Sequence, residues 1–168
     1  MKRVLELFSG SAIVSRAFKR YGWETITVDH DIRRGPDIVA DCRQLPLEPY
    51  GFDCLWASPP CTEFSLGNNN SPYKTVTVDL TCLEAVQKIV MIYQPRFWII
   101  ENVRGAQRWL GRPELQCGSV FLWGQFPWFE PYYHVKATQT NRGVDIRAML
   151  PWSIPYRLVK AINDCIGY

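Results

Sequence analysis

Apolar residues in this chain gather in short runs, the first broken by Glu6, rather than in long alternation with polar ones. Residues 4–8, 25–28, 37–40, 54–57 and 97–100 are such runs, closing on Ser9-Gly10, Asp29, Asp41, Ser58-Pro59-Pro60 and Glu101-Asn102. Strands that are apolar throughout are covered on both faces, as in parallel sheets. Between the runs the period changes. Ala12, Ile13, Ala17, Phe18 and Tyr21 recur at helical spacing before Gly22, and Leu80, Leu83, Val86, Ile89, Val90 and Tyr93 do so within residues 79–93. Alternating strands and helices predict an α/β fold, a mostly parallel Rossmann-like sheet with helices on both faces. Beyond Gly105 the pattern weakens: residues 120–123 and 132–138 read as strands and 155–166 as a helix. Residues 65–77, rich in Asn, Ser, Gly and Pro, form the one long predicted loop.

Composition narrows this picture. A length of 168 residues, 47% hydrophobic and 21% charged, predicts one globular domain over 1–168, not a disordered chain. The motifs fall in 1–105, and 106–168 is a more divergent part of the same domain. Net charge is only +3, yet from Lys88 onward ten basic residues stand against five acidic ones, a balance that suits a phosphate-bearing partner. The opening residues do not read as a signal peptide, and no apolar run would span a bilayer, so no membrane association is expected. Six cysteines without a C-x-x-C pair, and two histidines, offer no metal site. Scattered single thiols suggest a reducing, cytoplasmic setting, that of the host if this small chain is viral.

The candidate chemistry lies where ligands bind in parallel sheets. Gly10, Asp29, Asp41, Cys61 and Glu101 each follow the carboxyl end of a predicted strand. In Ser58-Pro59-Pro60-Cys61-Thr62-Glu63-Phe64-Ser65, two prolines stiffen the backbone ahead of a thiol that becomes a strong nucleophile as thiolate. In Ile99-Ile100-Glu101-Asn102-Val103, a carboxyl group follows an apolar run that desolvates it, which favours proton donation near neutral pH.

Together these segments resemble the DNA cytosine-C5 methyltransferases. That family has a Pro-Cys motif followed closely by Phe-Ser, and a Glu-Asn-Val motif. Leu7-Phe8-Ser9-Gly10 is similar to its first cofactor motif, and Asp29 and Asp41 to the acidic ends of its second and third. The resemblance covers about residues 3–105. It implies that the cofactor is S-adenosylmethionine and that the substrate is DNA whose target base is flipped out of the helix. It further implies that Cys61 adds to cytosine C6 while Glu101 engages the N3/N4 edge. Phe8, Ser9, Gly10, Asp29, His30, Asp41, Cys42 and Pro59 are the implied cofactor-binding residues, with Asp29 on the ribose hydroxyls, where His30 and Asp31 are near enough to compete, and Asp41 on the adenine amino group. Pro60, Asn102, Arg142 and Arg147 are the implied substrate-binding residues.

Several features depart from the family. Ser11-Ala12-Ile13 stands where further glycines are usual, and Thr62 where glutamine is common. The chain leaves no room for a large target-recognition domain, so readout from a second copy or a specificity subunit is one expectation. Without either, Arg104, Arg108 and Arg112, spaced by four as on one helix face, are expected to meet phosphates. Two other functions fit the same residues: a catalytically silent nucleic-acid-binding or partner subunit, and a methyltransferase acting on RNA or nucleotides.

Overall fold

Among the described residues the apolar runs supply five of the seven strands of one sheet. The computed structural model describes residues 1–48, 51–62, 64, 78–131, 151 and 153–167. Strands β1 (Arg3–Leu7), β2 (Glu24–Asp29), β3 (Ile38–Val39), β4 (Cys54–Ala57) and β5 (Phe97–Asn102) are parallel neighbours. Strand β7 (Val120–Gln125) inserts antiparallel between β5 and the edge strand β6 (Leu115–Cys117).

Period-2 alternation along buried strands divides the apolar residues between two cores. Val4, Cys54, Trp56, Phe97 and Ile99 face α1 (Ile13–Arg20) and α4 (Ser153–Cys165), where Phe18, Ile154 and Leu158 meet them. Leu5, Leu7, Leu55, Ala57 and Ile100 face α2 (Thr81–Tyr93) through Leu83, Val86 and Ile89. Both faces are therefore covered, as the apolar runs required. The two ends of the chain are joined at Asn163, whose Oδ1 accepts from Lys2 Nζ at 2.9 Å and Trp23 Nε1 at 3.1 Å.

From β1 the chain moves outward to β2 and β3, then returns to add β4 and β5 on the other side of β1. The carboxyl ends of β1 and β4 thus flank the point where strand order reverses, the position at which open α/β sheets form a ligand crevice.

The structure differs from the sequence reading in three places. Strand β5 continues through Glu101 and Asn102 instead of stopping before them, because β7 pairs with both, Glu101 with Leu122 and Asn102 with Phe121. Strand β6 was not expected, because the alternation of Leu115, Gln116 and Cys117 is only three residues long. The segment carrying Arg104, Arg108 and Arg112 is not one helix. A 3-10 turn over Arg104–Ala106 leads into the four-residue helix α3 (Gln107–Leu110), and Gly111 (φ 78°) ends it before Arg112. The strand expected over 132–138 lies outside the described residues.

Candidate active site

The loop after β1 turns sharply to deliver the chain to α1. Phe8, Gly10 and Ala12 all have positive φ, at 57°, 49° and 52°. Only one of them is glycine. The turn is held by Ser9, whose N–H donates to Val28 O at 3.1 Å and whose carbonyl accepts from Ala12 N at 2.6 Å. Asp29, at the end of β2, secures it from the side. Its carboxylate accepts from Gly10 N and Asp31 N, both at 2.9 Å, with His30 Nδ1 at 3.3 Å. Asp29 is 8% exposed, so it is built into the turn and is not a free surface carboxylate.

Helix α1 begins without a side-chain cap from Ala12. Glu6, buried within β1, supplies one from below by accepting from Ser15 N at 2.7 Å. Burial dominates over that bond and raises the Glu6 carboxyl to about 7.

Beside this turn lies a pocket of about 220 Å³ lined by Phe8, Asp29, His30, Asp41, Cys42 and Pro60 together with Val28, Ala40, Arg43 and Cys82. Five of the eight residues implied for the cofactor therefore share one cavity. Ser9 and Gly10 shape the loop behind it and Pro59 is buried, whereas Pro60, implied for the substrate, is in the wall. Asp31 is engaged elsewhere. It caps the turn Ile32–Arg34 and pairs with Arg33 and Arg34, and the hydrogen bonds from Arg33 hold its carboxyl down at about 2. Asp41 caps the turn Cys42–Gln44 and is gripped by the Arg43 guanidinium, which lowers its carboxyl to about 2. Burial, then the neighbouring Cys82, pushes the Cys42 thiol up to about 12.

The second half of the site is where the loops after β4 and β5 interlock. Register places Ala57 opposite Ile100, so the chain leaving β4 runs alongside Glu101. Burial raises the Cys61 thiol, and the Glu101 carboxylate raises it further, so the two groups are electrostatic neighbours. Glu101 is itself raised by burial and lowered by a hydrogen bond from Ser58. The loops are clamped at three points. Asn102 Nδ2 donates to Pro59 O at 3.1 Å while its Oδ1 accepts from Val103 N at 2.8 Å. Gly105 passes so close to Phe64 that a Cβ there would lie 1.9 Å from the Phe64 carbonyl oxygen. The Phe64 and Trp109 rings meet with centroids 5.2 Å apart.

Asn102, expected to bind substrate, lies in this clamp. It is 1% exposed, and one N–H and one lone pair of its amide join the two loops, so the structure gives it a part in holding the loops together. Arg142 and Arg147 lie outside the described residues. Ser58, Gly105 and Trp109 escaped the sequence reading. A glycine four residues after Glu101 was the one visible signal for this clamp. Among the described residues no group of three or more His, Cys, Asp or Glu could hold a metal, and no helix is long and apolar enough to cross a membrane.

The chain has relatives among known proteins. The chain is 35% identical over 113 residues to the probable DNA (cytosine-5)-methyltransferase of Frog virus 3 (isolate Goorha), a match covering 60% of this chain and 53% of the relative. It thus spans about half the length of that relative. Solved structures of Spodoptera frugiperda DNMT2 and S. pombe Dnmt2 methyltransferase align over 64% of this chain, and over 37% and 38% of theirs. Their identities are 22% and 17%, with TM-scores of 0.43 and 0.45. The family model for C-5 cytosine-specific DNA methylase matches residues 2–110, which include the carboxyl ends of β1 to β5. By that match over more than half its length, this chain belongs to the C-5 cytosine-specific DNA methylase family.

Proposed function

We propose that this chain transfers a methyl group from S-adenosylmethionine to C5 of cytosine in DNA, through a covalent adduct of Cys61 with the base. The observation that carries the reading is that the loop leading from β4 to Cys61 is paired and hydrogen-bonded to the end of β5 that bears Glu101, next to the pocket walled by Asp29, Asp41 and Pro60. We read residues 1–168 as one catalytic domain, supported by the packing of α4 on α1.

That pocket fits a nucleoside-bearing cofactor. Asp29 presents a carboxylate already oriented by two backbone N–H groups, which suits a pair of ribose hydroxyls. Phe8, Val28 and Ala40 supply apolar wall for a purine, with Asp41 and the Cys42 backbone at its polar edge. S-adenosylmethionine, when bound, provides the electrophilic methyl group.

The protein's task is to make C5 of cytosine nucleophilic. An aromatic pyrimidine carbon attacks poorly until addition at C6 breaks the ring's conjugation. The Cys61 thiolate forms a bond to C6, and Glu101, whose carboxyl burial raises above the usual carboxylate range, hands a proton to N3. The displaced ring electrons then reside at C5. After methylation, loss of the C5 proton to a base, departure of Cys61 as thiolate and return of the N3 proton to Glu101 restore the aromatic ring. Because burial also raises Cys61, its thiolate must form in concert with a positive neighbour or with transfer of the thiol proton. Clamped loops suit this step, since both reacting groups are held before the base arrives.

Incubation with methyl-labelled cofactor and, in separate arms, duplex DNA, RNA and free nucleotides tests the proposal by nucleoside analysis. Labelled 5-methylcytosine in the DNA arm is the expected product, and Cys61→Ser abolishes it while cofactor binding persists. DNA containing 5-fluorocytosine should trap the wild-type protein covalently, because the C5 substituent cannot leave. Robust methylation by Cys61→Ser overturns the mechanism, and label in the RNA or nucleotide arm alone overturns the substrate.

A further inference from the structure

We propose that Ser58 is the positioning residue for Glu101, the middle member of a hydrogen-bond relay running from the Trp56 indole through the Ser58 hydroxyl to the Glu101 carboxyl. The inference rests on reading Glu101 as the proton donor to the base.

Trp56 Nε1 donates to Ser58 Oγ at 2.8 Å. Trp56 is 1% exposed and its ring belongs to the core shared with α1 and α4, so the indole N–H is fixed in direction. The pairing of Ala57 with Ile100 brings Ser58 beside Glu101 at the next step of the two parallel strands. A serine hydroxyl has one proton and two lone pairs. With the indole occupying a lone pair, the hydroxyl proton is directed to Glu101, which accepts it. Each bond polarises the next.

The relay does two things for the carboxyl. It commits one oxygen as an acceptor, leaving the other to carry a proton into the cleft. It also favours the ionised form, opposing the burial that raises Glu101, so that the proton is not held too tightly to be given up. Cys61 is the titratable group facing Glu101 from the β4 loop, and β7 presents the apolar Leu122 opposite it. The core on the α1 and α4 face thereby reaches the reacting groups through a single side chain.

The test pairs a titration with kinetics on the full chain. The carboxyl carbon of Glu101 is followed by carbon-13 NMR against pH, its resonance identified by its loss in Glu101→Gln. Ser58→Ala should move the Glu101 midpoint to higher pH, and Ser58→Thr should return it toward the wild-type value. In steady state, Ser58→Ala should lower kcat about tenfold, the worth of one positioning hydrogen bond, with KM for cofactor and DNA unchanged. Ser58→Thr should recover most of that loss. An unmoved midpoint in folded Ser58→Ala overturns the relay, and a moved midpoint with unchanged kcat overturns its positioning role. Full turnover by Glu101→Gln would instead end the proton-donor reading and leave the titration result standing.

Discussion

The turn after β1 and the joined loops after β4 and β5 stand at the same edge of the sheet, yet they hold their shapes by different means. The β1 turn is shaped by local backbone conformation, with three left-handed residues in five and a carboxylate from β2 tying down Gly10. The β4–β5 junction has no left-handed residue over the described positions 57–64 and 101–110. It is shaped by fit between segments distant in sequence: Asn102 against Pro59, Gly105 against Phe64, and Trp109 against Phe64. A conformationally strained turn can be relieved by one substitution. A fitted junction can only be damaged by one.

The largest effect should therefore come from Gly105→Ala. The added Cβ meets a backbone oxygen, which cannot rotate away, so one loop must move. Overpacking of this kind costs about 3 kcal/mol. Denaturant unfolding and single-turnover methylation should both suffer, whereas cofactor affinity by calorimetry should be nearly unchanged. Loss of cofactor binding with normal stability would show that the two halves of the site are not separate units.

Glu6 sharpens the comparison from the other side, through pH. Its folded carboxyl titrates near 7, above the 4.5 of an exposed glutamate, so the folded chain retains a proton that the unfolded chain has released. Stability from this group is complete below about pH 4.5 and declines as pH rises to about 7. The full decline corresponds to about 3 kcal/mol. Glu6→Gln keeps an acceptor for Ser15 N and removes the charge, so its melting temperature should lose that slope. A slope equal to the wild type's would locate the effect in another group.

Asp29→Ala tests the carboxylate on which the turn and the pocket both depend. Removing charge-assisted bonds to ribose should weaken cofactor binding by about 1.5–3 kcal/mol. Because Gly10 N and Asp31 N also lose their acceptor, the cofactor-free protein should melt earlier. Calorimetry showing unaltered affinity would remove Asp29 from the cofactor site, while an unaltered melting temperature would mean that the turn does not need it.

The smallest effect, opposite in sign, is expected from Ala12→Gly. Ala12 holds φ 52° without a glycine's freedom. Relief of that strain, less the added disorder of the unfolded chain, should stabilise by about 0.5–1 kcal/mol. Equal or lower stability, measured by urea denaturation, would show that the turn is not strained at this position.

Much of this architecture was legible in the residue pattern. Runs apolar on both faces specify a covered parallel sheet, because each strand face must be buried against something, and the strand ends then locate Gly10, Asp29, Asp41, Cys61 and Glu101 at one edge. These are local or period-based signals, and a single chain carries them unaided. Where the resembled family usually has further glycines, Ala12 adopts the left-handed conformation itself.

Contacts between segments remote in sequence were decided by tertiary structure. Asn102 reads as a polar residue at a strand end, and only packing shows its amide bridging Pro59 and Val103. Three arginines at intervals of four read as a helix face until Gly111 breaks the helix before Arg112. Nothing in residue order links Trp56 to Glu101. Their connection exists because β4 and β5 pair in one register, and a slip of one residue would turn Ser58 to the other face of the sheet. Residue type supplies the donors and acceptors, and register decides which of them can meet.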